Sequence, residues 1–253
     1  MNKSSLVETL KTFSPKEIRE FSEFVNSPFF NKNKNVIKLF DIIRRSYPDF
    51  EESRTEKTKV FKKIFHSKPY KDSTMRLLMY YLSEAGEKYL AISGFTKNEF
   101  RLKETLANEF HERGLIKEYE KVINSHKQYL EKAKFKDHDY FMNNFIYLEE
   151  NLDLMYLKYE GKYEKFLTKE NLESVTNNLT YYYLLRVFKF YTVSLNTMSL
   201  YNIEIDTSLF ENLLANFDES SFESMPVIDI YYHIILSFTE PEEEKHYYKI
   251  KEL

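Results

Sequence analysis

The sequence predicts an all-α protein: helical hairpins stacked into a superhelix-like array behind a separate N-terminal helical block. Three observations predict it. The 253 residues include only 4 Gly and 6 Pro, too few for the turns of an all-β domain of this size. Apolar residues recur at steps of three and four through most of the chain, the spacing that lines one side of a helix. Helix start and stop signals punctuate those stripes. The clearest stripes flank a short polar break at 134–137. Before it, Tyr119, Ile123, His126 and Leu130 step 4, 3, 4; after it, Phe141, Phe145, Leu148, Leu152, Met155 and Tyr159 step 4, 3, 4, 3, 4. Two such stripes joined by a short break predict an antiparallel pair.

The N-terminal block, residues 1–94, opens with a short helix over 4–11 that turns Leu6, Val7 and Leu10 inward. Ser14-Pro15-Lys16-Glu17 is a start signal, with Ser14 as cap, Pro15 at the first helical position and Glu17 returning a bond to the cap. Ile18, Phe21, Phe24 and Val25 form that helix's apolar face, and Asn26-Ser27-Pro28 ends it. Phe29 and Phe30 are expected to plug the gap before the next helix. That helix carries Val36, Leu39, Phe40, Ile43 and Tyr47 and stops at Pro48; residues 49–54 read as polar loop. A helix over 55–67 has sharply divided faces, with Val60, Phe61, Ile64 and Phe65 on one side. A long helix from Asp72 or Ser73 to about Ser93 carries Met75, Leu78, Leu82, Ala85, Tyr89 and Ile92. Gly86 lies inside it and marks a close helix crossing or a kink. Gly94 separates this block from the array.

The array, residues 95–253, begins with a helix over 100–113 bearing Leu102, Leu106 and Phe110, closed by Gly114 as a left-handed C-terminal residue. The hairpin of the 119–159 stripes follows and ends at Gly161. Residues 168–202 are rich in β-formers. Yet no Gly or Pro interrupts them, and Leu172, Val175, Leu179, Tyr183, Val187 and Phe190 keep helical steps. The segment is therefore read as helix, buried on more than one side. A connector over 203–207 leads to a short helix over 209–217, and Pro226 opens another through Phe238. Pro241-Glu242-Glu243-Glu244 starts a last helix with acids at its N-terminus. It presents Tyr247, Tyr248, Ile250 and Leu253 and has no stop signal, so the array is expected to be incomplete at its C-terminus.

Composition bounds the chemistry. The chain is 42% hydrophobic and 30% charged and has no Cys. That permits a large core and rules out disulfides, cysteine zinc sites and thiol nucleophiles. No run is long enough for a signal peptide or a membrane span, so a soluble, cytoplasmic protein is expected. The 21 Tyr and 22 Phe reflect A+T-rich codons as readily as stacking platforms. Net charge is −3, but residues 1–100 hold 19 Lys/Arg against 13 Asp/Glu, and residues 101–253 hold 18 against 27. Such an asymmetry marks two faces or two domains.

Two resemblances follow. Gly114 with Tyr119-Glu120-Lys121, and Gly161 with Tyr163-Glu164-Lys165, form a weak internal repeat whose tyrosines lie 44 residues apart. The Gly-to-Tyr step resembles the turn of tetratricopeptide repeats and implies TPR-like stacked helices. The expected Trp, small residue and closing Pro are missing or displaced. Residues 24–34, with Leu39-Phe40 and Tyr47-Pro48-Asp49-Phe50, resemble the N-terminal region of a group of uncharacterised bacterial all-helical proteins. That likeness implies further helical pairs and brings no activity to any residue here.

Candidate sites are few. His111-Glu112 has Leu115 where a zinc protease carries its second His. Asp137-His138-Asp139 is read as a polar helix start, and His126 as a core-edge residue bonded to a neighbour. No Gly-rich phosphate loop occurs. Lys59, Lys62, Lys63 and His66 form a stripe within residues 54–76, which hold 8 basic residues against 2 acidic. The stripe reads either as a solvated face or as a track for phosphates. Arg186 and Lys189 stand among Tyr181, Tyr182, Tyr183, Phe188 and Tyr191, where a guanidinium anchors an acidic peptide, stacks on a ring or makes a structural ion pair. The expected function is a non-catalytic scaffold binding a protein or peptide, with no cofactor, metal or membrane. The alternative is nucleic-acid binding through residues 54–76.

Overall fold

The structure, a computed structural model, describes residue 1 and residues 4–217, 220–222 and 224–252. Twelve α-helices and two 3-10 turns make up its regular structure, with no strand among the described residues. The chain divides into two compact units, Met1–Glu99 and Phe100–Leu253.

The first unit packs α1 (Ser5–Lys11), α2 (Pro15–Asn26), α3 (Lys34–Ile43), α4 (Lys57–Phe65) and α5 (Asp72–Lys97). The start of α2 is a full capping box. Ser14 Oγ accepts from the Glu17 N–H at 3.2 Å, and the Ser14 N–H donates to Glu17 Oε2 at 2.8 Å. All the apolar residues expected to face inward on α1 and α2 are buried, as are Val36, Leu39, Phe40 and Ile43 of α3. Phe21 is the hub, with the rings of Phe13, Phe24, Phe40 and Tyr89 around it. Tyr89 ties α5 to α2 by donating its hydroxyl to Glu20 Oε2 at 2.9 Å. Burial, then that carboxylate, push its pKa up to about 12.

Three expectations for this unit are corrected. Phe29 plugs nothing: it is 86% exposed and meets only the Phe30 ring, edge-on at 4.9 Å, while Phe30 stacks on Phe24 at 4.1 Å. The loop after Pro48 is not wholly polar at its start. Phe50 is fully buried in the core. It takes a left-handed φ of 49°, and the buried Thr55 hydroxyl closes the loop by donating to Phe50 O and Glu51 O. Finally, α5 continues through Gly94 to Lys97, past the end expected near Ser93, and Ile92 is exposed.

Gly86 marks no backbone-to-backbone crossing. A Cβ there would meet only the tip of the Phe21 ring, at 3.8 Å, an ordinary van der Waals contact. Gly86→Ala is therefore expected to stabilise the protein by up to about 1 kcal/mol, the helix-propensity difference. Gly161→Ala should act in the opposite sense. Gly161 sits at φ +76° and a Cβ would lie 3.3 Å from the Tyr156 ring, so a loss of about 1–2 kcal/mol is expected. Urea unfolding of the two variants checks both signs.

The second unit contains α6 (Glu99–Glu112), α7 (Ile116–Glu131), α8 (His138–Lys158), α9 (Lys169–Tyr201), α10 (Ser208–Leu214), α11 (Pro226–Thr239) and α12 (Lys245–Glu252). Helix α6 ends in a Schellman turn. Gly114 has φ +67°, and the Leu115 N–H donates to Phe110 O at 2.9 Å. Asp137 caps α8 by accepting from the Tyr140 N–H. The order of packing is α7 on α8, α8 on α9, α9 on α11 and α11 on α12. One small core joins Ala107, Tyr119, Val122, Ile123 and Leu154; a larger one gathers Phe141, Leu184, Leu185, Phe188, Tyr191, Phe222 and Ile228.

The stripe of α7 is buried as expected, but other elements depart from it. On α8, Phe145, Leu148, Leu152 and Met155 are only half-buried, and Tyr159 is exposed. Helix α8 has neighbours on two sides, so its buried positions are Phe141, Glu150 and Leu154. On α6, Leu102 and Leu106 are exposed, while Phe100 and Ala107 are buried. The internal repeat also diverges. Tyr119 is buried in α7, whereas Tyr163 is exposed in a 3-10 turn that precedes α9. Helix α12 begins at Lys245 rather than after Pro241 and turns His246 inward, leaving Tyr247 and Tyr248 exposed. Leu253 lies outside the described residues.

Candidate functional site

The basic stripe is where its spacing predicts. Val60, Phe61 and Ile64 of α4 are buried, and Lys59, Lys62, Lys63 and His66 face solvent. Its field is weakened by local acids, however. Arg54 pairs with Glu51, Lys59 with Glu56, and both Lys57 and Arg76 with Asp72. Four of the eight basic residues of this segment are thus engaged by carboxylates. Such exposed pairs add little stability, but they lower the positive potential available to a phosphate chain.

Helix α9 carries a more distinctive surface. Its buried residues, Leu184, Leu185, Phe188 and Tyr191, lie at steps of one, three and three. They pack with Phe210 of α10 and with Phe222 and Tyr232. The stripe that sequence spacing picks out is largely on the other side. Leu172, Leu179, Tyr183 and Phe190 are 44–53% exposed, and Val193 and Tyr201 join them. At about 100° per residue these six fall within an arc of about 80°. Because α9 is apolar nearly all round, the 3–4 rhythm has two solutions, and the partners Phe210, Phe222 and Tyr232 cover the one that carries Leu184, Phe188 and Tyr191.

Arg186 stands within that exposed arc. Its guanidinium lies 5.4 Å from the Phe190 ring centre, a cation–π distance. No described carboxylate is within ion-pair reach of it, so the structural ion pair weighed for this residue is not formed among the described residues. Lys189 is exposed on the flank of the same helix. Arg186 and Lys189 thus both lie on α9.

Two polar clusters lie inside the second unit. His126 of α7 is fully buried, and its Nδ1 is 2.7 Å from Glu150 Oε2 of α8. A carboxylate can only accept, which places the imidazole proton on Nδ1. Phe100 stacks on the ring at 4.3 Å, and the Tyr119 hydroxyl donates to Glu150 O. Burial, then the Glu150 charge, push the Tyr119 pKa far up. The second cluster joins α11 to α12. His233 Nδ1 and His246 Nδ1 are 3.0 Å apart, with Asp229 near the first ring and Glu240 near the second. Sequence spacing gave a partial view: His126 sits on an apolar stripe, as expected, but Glu150 was not singled out. The available signal is an acid on the stripe Tyr147, Glu150, Leu154 and Leu157, steps of three and four interrupted once by a charge.

Two cavities of this unit lie among the described residues. One, of about 580 Å³, is apolar with Phe141, Tyr181, Met225 and Ile228 in its wall and Lys134 and Lys136 at its edge. The other, of about 390 Å³, lies between α6 and α8 and is lined by four carboxylates. Among the described residues no three His, Asp or Glu side chains are grouped to hold a metal ion. No described helix is long and apolar enough to cross a membrane.

No protein-family model, curated protein or solved structure matches this chain.

Proposed function

We propose that the protein is a non-catalytic, cytoplasmic interaction scaffold of helical-repeat, TPR-like type, and that it takes a protein or peptide partner on the second unit. The observation that carries this reading is the exposed apolar arc of α9. Six apolar side chains on one face of a 33-residue helix stand in solvent. An uncovered apolar row of that kind, with Arg186 set into it, suits a partner's side chains. Arg186 on Phe190 adds an aromatic–guanidinium pair of the sort enriched at binding hot spots. The succession of packed helices α7, α8 and α9 supports the array architecture, and the absence of Cys fits a reducing compartment.

The test is photo-crosslinking in the source cell from a benzophenone amino acid placed at Leu179. Discrete crosslinked species are expected, and Tyr183→Asp with Phe190→Asp should abolish them while leaving the melting temperature within a degree or two. Crosslinks that survive the double substitution, or none at all, would overturn this reading. The competing reading, nucleic-acid binding through Lys59, Lys62 and Lys63, is tested in parallel. It requires a salt-sensitive interaction with DNA or RNA that is lost when the three lysines become Glu.

A further inference from the structure

The larger cavity of the second unit, of about 580 Å³, has a wall of one kind and a mouth of another. The wall is apolar. Phe141 of α8 and Ile228 of α11 are buried there, and Tyr181 of α9, Met225 and Val227 are half-buried. No acid is among the described residues that line it. A space of this size falls within the roughly 300–1,000 Å³ of small-molecule sites, which combine an apolar lining with a few placed polar groups.

The mouth is cationic. Lys134 and Lys136 stand at it, on the break between α7 and α8, with Lys132 just before them. This reverses the sign of the surrounding chain, where residues 101–253 hold 18 Lys/Arg against 27 Asp/Glu. No described carboxylate is within ion-pair distance of Lys134 or Lys136. The acids next in sequence are engaged elsewhere, Asp137 by the Tyr140 N–H and Asp139 beside His138. Lys136 rests over the Tyr140 ring at 5.7 Å, a contact that leaves its charge unneutralised. Phe135, between the two lysines, lines the same cavity yet is 77% exposed. Helix α11 starts at the wall with Pro226 and has no side-chain cap, so its first turn adds partial positive charge there. The acid of that turn, Asp229, is fully buried and lies 3.4 Å from His233.

Wall and mouth call for different halves of one ligand. An apolar body gains by leaving water for the wall and by covering Phe135. An anionic end gains from ammonium groups that no carboxylate neutralises. The lining has neither Arg nor Gly, so it lacks the bidentate donors and the backbone cradle of phosphate sites. We propose that this cavity binds a small carboxylate with an apolar tail, the tail against Phe141, Met225 and Ile228 and the carboxylate at Lys134 and Lys136. The site shares no residue with the exposed arc of α9 and does not rest on the scaffold reading.

Isothermal titration calorimetry on the whole chain tests this, with decanoate below its micelle-forming concentration as the probe. Decyltrimethylammonium, with the same tail and the opposite charge, is the control. Decanoate is expected to bind at one site and the control far more weakly. Lys134→Gln with Lys136→Gln should weaken decanoate by about tenfold or more, the worth of one charged hydrogen bond. Val227→Trp, which fills the cavity, should abolish binding, and Phe190→Asp should leave it unchanged. Both lysines are exposed, so their double variant is expected to fold, and melting curves check each protein. The proposal is overturned if decanoate does not bind, if the cation binds equally well, or if the lysine substitutions have no effect. It is also overturned if binding survives in a folded Val227→Trp protein or is lost with Phe190→Asp.

Discussion

Phe21→Ala is expected to lower the stability of the first unit by about 3–5 kcal/mol, the usual cost of removing a buried phenylalanine ring. Phe21 is fully buried, with Phe40 at 4.8 Å, Phe13 and Tyr89 at 5.5 Å and Phe24 at 6.4 Å. The side chains around it belong to three helices and the turn before α2, so no single element can close the void. Phe29→Ala is the matched control. Phe29 is exposed, and its loss should change stability by no more than about 0.5 kcal/mol. Tyr89 touches the Phe21 ring, so tyrosine near-UV dichroism during urea unfolding reports on this core. A loss below about 1 kcal/mol for Phe21→Ala would mean that the aromatic cluster is not closed.

Leu154→Asp should be the most damaging change in α8, and clearly worse than Met155→Asp. Leu154 is buried against Tyr119, Ile123 and Ala107. Removing such a side chain costs about 2–5 kcal/mol, and the new carboxylate adds the penalty of an unpaired buried charge. Met155 is only half-buried, so an acid there keeps contact with water and its effect should be smaller. Thermal melts of the two variants decide the register of the helix. If Met155→Asp proves the worse, the stripe through Phe145, Leu148 and Leu152 is the true inner face.

These contrasts show which physics is legible in a single sequence. Helices α1, α2, α3 and α7 each have one neighbouring core, and there the stripe, the cap and the buried set agree. The capping box at Ser14 is local chemistry and needs no tertiary information. Helices α8 and α9 pack on more than one side. Their apolar residues exceed what one face needs, and spacing alone cannot say which side is covered. The choice is made by distant partners such as Phe210, Phe222 and Tyr232. Phe50 escaped for the converse reason. A lone aromatic in a polar loop has no periodic companion, and its burial depends on bonds from Thr55. Of the candidate site residues, the α4 stripe follows from periodicity, but Glu56, which engages Lys59, and Glu51 and Asp72, which engage the flanking Arg54, Lys57 and Arg76, lie outside the periodic pattern. Aromatic neighbours in sequence make Arg186 conspicuous, but the ring it covers, Phe190, is fixed only by the helical turn that brings position i+4 beneath it. Glu150 was hidden because a charge inside an apolar stripe reads as a break until its partner, His126, is seen across the interface.

The burial pattern of α9 has a mechanical consequence. The helix is about 50 Å long at 1.5 Å per residue, yet all four of its fully covered side chains fall between Leu184 and Tyr191. It is a rod clamped near its middle. The clamped turns can open only when the surrounding core gives way, whereas the turns before Thr180 and after Leu195 bury no side chain fully, although Asn178 accepts from Asn144 of α8 at 2.8 Å. Local opening free energy therefore rises and falls along one continuous helix. The apolar arc runs through both regimes. A partner gripping the clamped turns meets a rigid surface, and one that also engages the ends must order them and bear that entropy.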